Sequence, residues 1–182
     1  MPFTPFHLGP AFGIKAVADE HFSLLTFGLA QIAMDIEPLV RLLRGDAVLH
    51  GFTHTYAGAA LIGAVVAVFG RPVALHLLGP WRRAAMSEGV GWLAGPRTLG
   101  WEPAVAGAFA GTFSHVALDS IMHADVRPFA PLSASNGFFG IVPVGSLHLL
   151  CVAAGVLGAA GLIGRRYAVR GRTNYRVRRR RA

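Results

Sequence analysis

Seven imidazole and carboxylate side chains recur at spacings that suit metal ligation. His50 and His54 are four residues apart, and His115, Asp119 and His123 follow one another at steps of four. On a helix such steps fall on one face. That is how imidazoles at i and i+4 reach one zinc ion. His7 and Asp35 complete the set. Neutral imidazole with carboxylate suits Zn²⁺ first, and also Fe or Mn. Seven candidates exceed the four ligands of one tetrahedral zinc, so the set is read as holding one or two divalent ions. Two ions about 3.5–4 Å apart can clamp the attacking and leaving oxygens of a phosphoester. Two more acids, Glu37 and Asp125, are candidates for the general base that activates water. Asp35 and Glu37 are two apart, so a regular helix points them to different faces. Pro38 lacks an N–H for the Met34 carbonyl and disfavours helical geometry at Glu37. A break there would turn both carboxylates inward, and which of the two ligates is left open. His148 is weighed evenly between core and site, while His21, His76 and Asp46 are read as ordinary residues. Cys151, the one cysteine, excludes an internal disulfide and any cysteine-based zinc site. No nucleophilic-serine elbow, phosphate-binding loop or dinucleotide fingerprint is present.

These polar groups lie in an apolar chain. Of 182 residues 53% are hydrophobic and 14% charged, with a mean hydropathy of +0.50. An ordinary soluble domain is roughly 25% charged, so disorder, coiled coil and a standard soluble enzyme are disfavoured. The 23 glycines suit helices that approach closely in lipid. A spanning helix needs about 20 mostly apolar residues. Residues 22–43, 55–78, 103–122 and 144–164 meet or nearly meet this. Residues 3–18 are shorter, hold Gly9, Pro10 and Gly13, and read as a short or re-entrant helix, not a signal peptide. The fold class expected is therefore all-α: a polytopic transmembrane bundle of four full spans plus a short N-terminal helix. Ionisable groups within such spans are costly and mark function by default. Counting 1.5 Å of rise per residue brings His7, Asp35, His50, His54, His115 and Asp119 to a common level near one membrane face.

The charge is uneven. Residues 165–182 hold nine Arg and no acid, whereas the remainder holds 8 Lys and Arg against 9 Asp and Glu. The expected organisation is a membrane-embedded metal-binding domain over residues 1–164 and a disordered Arg-rich tail over 165–182. The excess of Lys and Arg predicts a cytoplasmic C-terminus. All three Trp residues, Trp81, Trp92 and Trp101, lie in residues 71–102, which are expected to lie along the membrane interface.

At these residues the sequence resembles the bacterial inner-membrane metal-dependent hydrolase family, some of whose members are associated with the DNA-damage response. The stretches that carry the resemblance are Thr4-Pro5-Phe6-His7, Met34-Asp35-Ile36-Glu37-Pro38, His50-Gly51-Phe52-Thr53-His54-Thr55, Ser114-His115-Val116-Ala117-Leu118-Asp119 and His123-Ala124-Asp125-Val126-Arg127-Pro128-Phe129. The family is distantly similar to zinc-dependent phospholipases C and single-strand nucleases. The resemblance covers about residues 3–164. It implies metal-dependent phosphoester hydrolysis at a bacterial inner membrane, with His7, Asp35, His50, His54, His115 and Asp119 as ligands. Glu37 beside Asp35 departs from simpler members.

The function expected is thus a membrane-bound metal-dependent hydrolase acting on a phosphoester such as a lipid headgroup. Rival readings are an intramembrane metal-ion or proton transporter, and a non-catalytic anchor whose basic tail binds lipid or DNA. Membrane lipid is the expected partner, with anionic lipid at the Arg tail and nucleic acid as the alternative there.

Overall fold

The computed structural model describes residues 5–90 and 98–179, with side chains up to residue 168. Among these residues the chain is helical, with no strand. A 3-10 turn, Pro5–Leu8, leads into α1 (Gly9–Ala18), and a second, Asp19–His21, leads towards α2 (Leu24–Arg44). A third, Phe52–His54, precedes α3 (Tyr56–Ser87). The chain closes with α4 (Trp101–Met122) and α5 (Val144–Arg179).

Among the described residues, three helices, not four, are long and apolar enough to cross a membrane: α3, α4 and α5 up to Ala168. The expected span at 22–43 forms as α2 with 21 residues, but Asp35, Glu37, Arg41 and Arg44 crowd its C-terminal half. Pro38 does not break α2, contrary to expectation; it sits buried inside a continuous helix. Asp35 and Glu37 consequently keep the different faces that a regular helix gives them. The third span is longer than expected, because neither Pro72 nor Pro80 ends α3. The segment from residue 71, expected to lie along the interface, belongs up to Ser87 to the same continuous helix α3. Trp81 and Trp101 are both exposed where α3 leaves and α4 begins, and the Arg71 guanidinium lies 4.8 Å over the Trp101 ring. Trp92 lies outside the described residues. No helix end marks a boundary at residue 164, since α5 continues through Arg179. Arg is a good helix former, and extending an existing helix avoids the cost of nucleation.

Small residues decide how the helices meet. Gly107 and Gly111 of α4 lie against α2 so closely that a Cβ would collide with Ser23 and Thr26, and with Phe27 and Ala30, respectively. A second close seam joins α1 to α5. A Cβ on Gly9 would strike the Cys151 carbonyl, and one on Gly158 would strike the backbone of Phe12 and Gly13. Such seams are the usual way for helices to gain dispersion contacts in lipid. α4 packs on both α2 and α3, while α5 is held mainly through α1 and the Pro5–Leu8 turn. His7, in that turn, thus meets residues of α4.

Candidate metal centre

The α4 row that begins with Gly107 and Gly111 continues at the same step through His115, Asp119 and His123. The α2 row that faces it runs through Phe27, Gln31 and Asp35. Close glycine packing at one end thereby brings Asp35 of α2 to His115 of α4, with Oδ1 of Asp35 3.5 Å from Nε2 of His115.

Asp119 is the hub. Its Oδ2 lies 3.2 Å from Nε2 of His54, 3.2 Å from Nε2 of His115 and 3.9 Å from Nε2 of His50. Its Oδ1 lies 3.5 Å from Nε2 of His7 and 4.0 Å from Nε2 of His123. The structure therefore brings together His7, Asp35, His50, His54, His115, Asp119 and His123. They form overlapping groups of three whose ligand atoms lie within 4.8 Å of one another: His7, His115 and Asp119; Asp35, His54 and His115; His50, His54 and Asp119. His50, His123 and Asp125 make a fourth group.

His50 and His54 reach the cluster by a route the spacing did not indicate. They do not share a helix face, because α3 starts only at Tyr56 and His54 belongs to the Phe52–His54 turn. The loop folds back at Gly51, where a Cβ would collide with the side chains of Glu37 and Arg41. This crossing brings the two rings edge to face, 4.7 Å apart.

Partners on the far side of three rings fix their tautomers. The Gln31 amide nitrogen donates to the Gly111 carbonyl, 3.0 Å, so its oxygen is left to accept from Nδ1–H of His115, 2.6 Å. The Thr53 hydroxyl donates to Oε2 of Glu37, 2.6 Å, and so accepts from Nδ1–H of His54, 3.0 Å. Asp125 accepts from Nδ1–H of His50, 2.9 Å, and from the backbone N–H groups of Leu49 and His50. With Nδ1 carrying a proton, each Nε2 faces the Asp119 carboxylate, and in the neutral ring it offers a lone pair there. Such outer partners commonly orient the imidazole ligands of a metal.

Glu37 and Asp125 are therefore not free carboxylates. Glu37 accepts from Arg41 through Oε1 and from the Thr53 backbone N–H and hydroxyl through Oε2. Burial alone would push Asp125 up, but hydrogen bonding to His50 holds its carboxyl down, at about 2. The Pro5–Leu8 turn and the Phe52–His54 turn lie outside the spans. There burial pushes His7 down to about 4 and lowers His54 as well, which keeps both rings neutral.

The residues fit a divalent cation. Nε2 of His54, Nε2 of His115 and both ring nitrogens of His7 are buried and make no aligned hydrogen bond among the described residues, the first two despite lying 3.2 Å from Asp119. A buried polar atom left unpaired costs about 1–3 kcal/mol, and a cation would satisfy these nitrogens and the Asp119 carboxylate together. Most of the set is buried, His54 and His115 fully. His123 and Asp125 are the exceptions, with side chains 27% and 31% exposed, so the cluster opens at their end. His148 stands apart, stacked on Phe6. The sequence reading missed Gln31 and the role of Thr53. A polar residue one turn before Asp35 on the same α2 face was the available signal for Gln31; none marked Thr53.

A family model described as YdjM inner membrane protein matches residues 17–175. No curated protein and no solved structure matches the chain.

Proposed function

We propose, since this chain belongs to the YdjM inner membrane protein family, that it is a membrane-bound metal-dependent hydrolase of phosphoesters, with a lipid headgroup as substrate. One observation carries the reading. Three imidazoles have their Nδ1 protons committed to Gln31, Thr53 and Asp125, so three Nε2 lone pairs meet at the Asp119 carboxylate. A purely structural polar core would pair those nitrogens with one another's protons or with hydroxyls.

His7, Asp35, His50, His54, His115 and Asp119 would hold one or two divalent ions, Zn²⁺ by preference of the nitrogen and oxygen donors, with Fe or Mn as alternatives. Bound there, a cation would acidify water and polarise a phosphoryl oxygen. The chain's own contribution is orientation and access. Asp125 and Glu37 act on His50 and His54 by holding tautomer and ring plane, Glu37 through Thr53. His123 stands at the open end, stacked on His50 with ring centroids 4.4 Å apart. Burial lowers its affinity for a proton. A neutral imidazole at the entrance is suited to take a proton from incoming water and release it to solvent. The apolar side chains Phe138, Phe139 and Ile141 are exposed in the α4–α5 connection. The Gly140 N–H donates to the Ile121 carbonyl and ties that connection to the end of α4. An apolar rim beside the entrance suits a substrate that stays in the bilayer.

The test is elemental analysis of the detergent-purified full chain, paired with release of phosphate or phosphorylated headgroup from mixed lipid vesicles. One or two ions of Zn, Fe or Mn per chain are expected, lost in the Asp119→Ala and His54→Ala double variant. Metal-dependent product is expected from wild type and not from chelated protein. Folded, metal-free wild type would end the reading. Bound metal without product from any phosphoester, together with metal flux into proteoliposomes, would replace the hydrolase by a transporter.

A further inference from the structure

Beyond the cluster, on the other side of the Glu37–Thr53 pair, a groove of about 450 Å³ opens along the C-terminal half of α2. Apolar Ile36 and Val40 line it together with the charged Arg41, Arg44 and Asp46. We propose that this groove is a docking site for one membrane phospholipid with a zwitterionic, amine-bearing headgroup, of the phosphatidylethanolamine type. It is distinct from the metal centre and does not depend on hydrolysis.

Shape and polarity choose a lipid. Ile32, Ile36, Val40 and Leu43 follow one another at steps of four, four and three and are all exposed. They form an apolar stripe up one side of α2 that ends at Arg44. Apolar side chains below and a cationic group at the end match an acyl chain below a phosphate, and long Arg side chains reach naturally to that level.

Charge chooses the headgroup. Arg41 is already neutralised by Glu37, 2.8 Å away. Arg44 and Asp46 remain, one cation and one anion, on the two sides of Gly45. That glycine closes α2 in the left-handed region, φ 74°, with the Asp46 N–H donating to the Arg41 carbonyl. Arg44 and Asp46 flank that tight turn, and both line the groove. A phosphate on Arg44 and a primary ammonium on Asp46 satisfy both. A purely anionic headgroup leaves Asp46 repelled, and a choline headgroup has no N–H to donate to it.

The experiment titrates the full chain, purified in detergent, with phosphatidylethanolamine, phosphatidylglycerol or phosphatidylcholine, and counts bound lipid by native mass spectrometry. Wild type should prefer phosphatidylethanolamine. Arg44→Gln should weaken it about fivefold, the effect of one basic residue at a lipid surface. Asp46→Asn should abolish the preference over phosphatidylcholine while keeping general binding. Val40→Trp, which fills the groove, should remove this lipid and leave metal content unchanged. Melting temperature and metal content of each variant separate misfolding from loss of the site. Binding insensitive to Arg44→Gln and Val40→Trp would overturn the proposal. A preference for phosphatidylglycerol would also overturn it, as would displacement by free glycerophosphoethanolamine as readily as by intact lipid. Because bound lipid is counted, failure of the hydrolase assay leaves this result standing, and the converse holds.

Discussion

The most incisive perturbation of the metal centre is a residue that touches no candidate metal position. Thr53→Val removes one hydroxyl and keeps the shape. That hydroxyl accepts from Nδ1–H of His54 and donates to Glu37. Glu37 keeps Arg41 and the Thr53 backbone N–H, so its loss is modest. His54 is fully buried, and its Nδ1 proton is left with no acceptor. Two costs follow and can be measured apart. In the metal-free protein, the unpaired donor should lower stability by about 1–3 kcal/mol. In the metal-loaded protein, the ring is free to turn or change tautomer, and loss of such an outer partner typically costs 10- to 100-fold in metal affinity. At about 1.4 kcal/mol per tenfold, the extra stabilisation that zinc gives at a fixed free concentration should fall by about 1.4–2.8 kcal/mol. The assay is competition with a calibrated zinc chelator, alongside thermal unfolding with and without metal. Thr53→Ser, which keeps the hydroxyl, should restore affinity. Unchanged zinc affinity in Thr53→Val, with a destabilised metal-free protein, would show that the Thr53–His54 bond is structural only. It would refute the tautomer argument.

Two further outcomes follow. Gly111→Leu should push α4 away from Phe27 and Ala30 and cost about 1–3 kcal/mol or more by overpacking; because the same row carries His115 and Asp119, bound metal should fall with it, and full metal content in a stably folded variant would contradict the coupling. A reporter fused after Ala182 should read as cytoplasmic, since nine Arg crowd residues 165–182; a periplasmic reading would reverse the orientation of the whole bundle.

The sequence made some of this legible because single-helix geometry is simple. His115, Asp119 and His123 share one row, and a spacing of four within an apolar helix announces it. Asp35 stood out as a charge in an apolar run. Tertiary choices were hidden. The four-residue spacing of His50 and His54 suggested a helix, whereas a loop crossing at Gly51 and a 3-10 turn bring their rings together. Pro38 looked like a break, yet α2 passes through it, and Asp35 and Glu37 serve different partners as a result. Counting apolar length favoured a fourth span in α2, although its charges face the cluster, Arg41 and the groove. Gln31 and Thr53 were obscured because their value comes from hydrogen bonds to residues distant in sequence or on another element, and local periodicity carries no record of these.

The α4 row also sets a phase. With 3.6 residues per turn, each step of four overshoots a full turn by about 40°, so positions 107, 111, 115, 119 and 123 wind slowly around the helix axis. The partners follow that winding: Gly107 and Gly111 press on α2, His115 meets Gln31 and Asp35, Asp119 turns to His54, and His123 ends beside His50. The row thus hands contact from one neighbour to the next as it winds around the helix. Deleting or inserting one residue between Gly111 and His115 would swing every ligand below it by about 100° while leaving the glycine seam in place. The length of that short interval, Thr112-Phe113-Ser114, is therefore under tight geometric control.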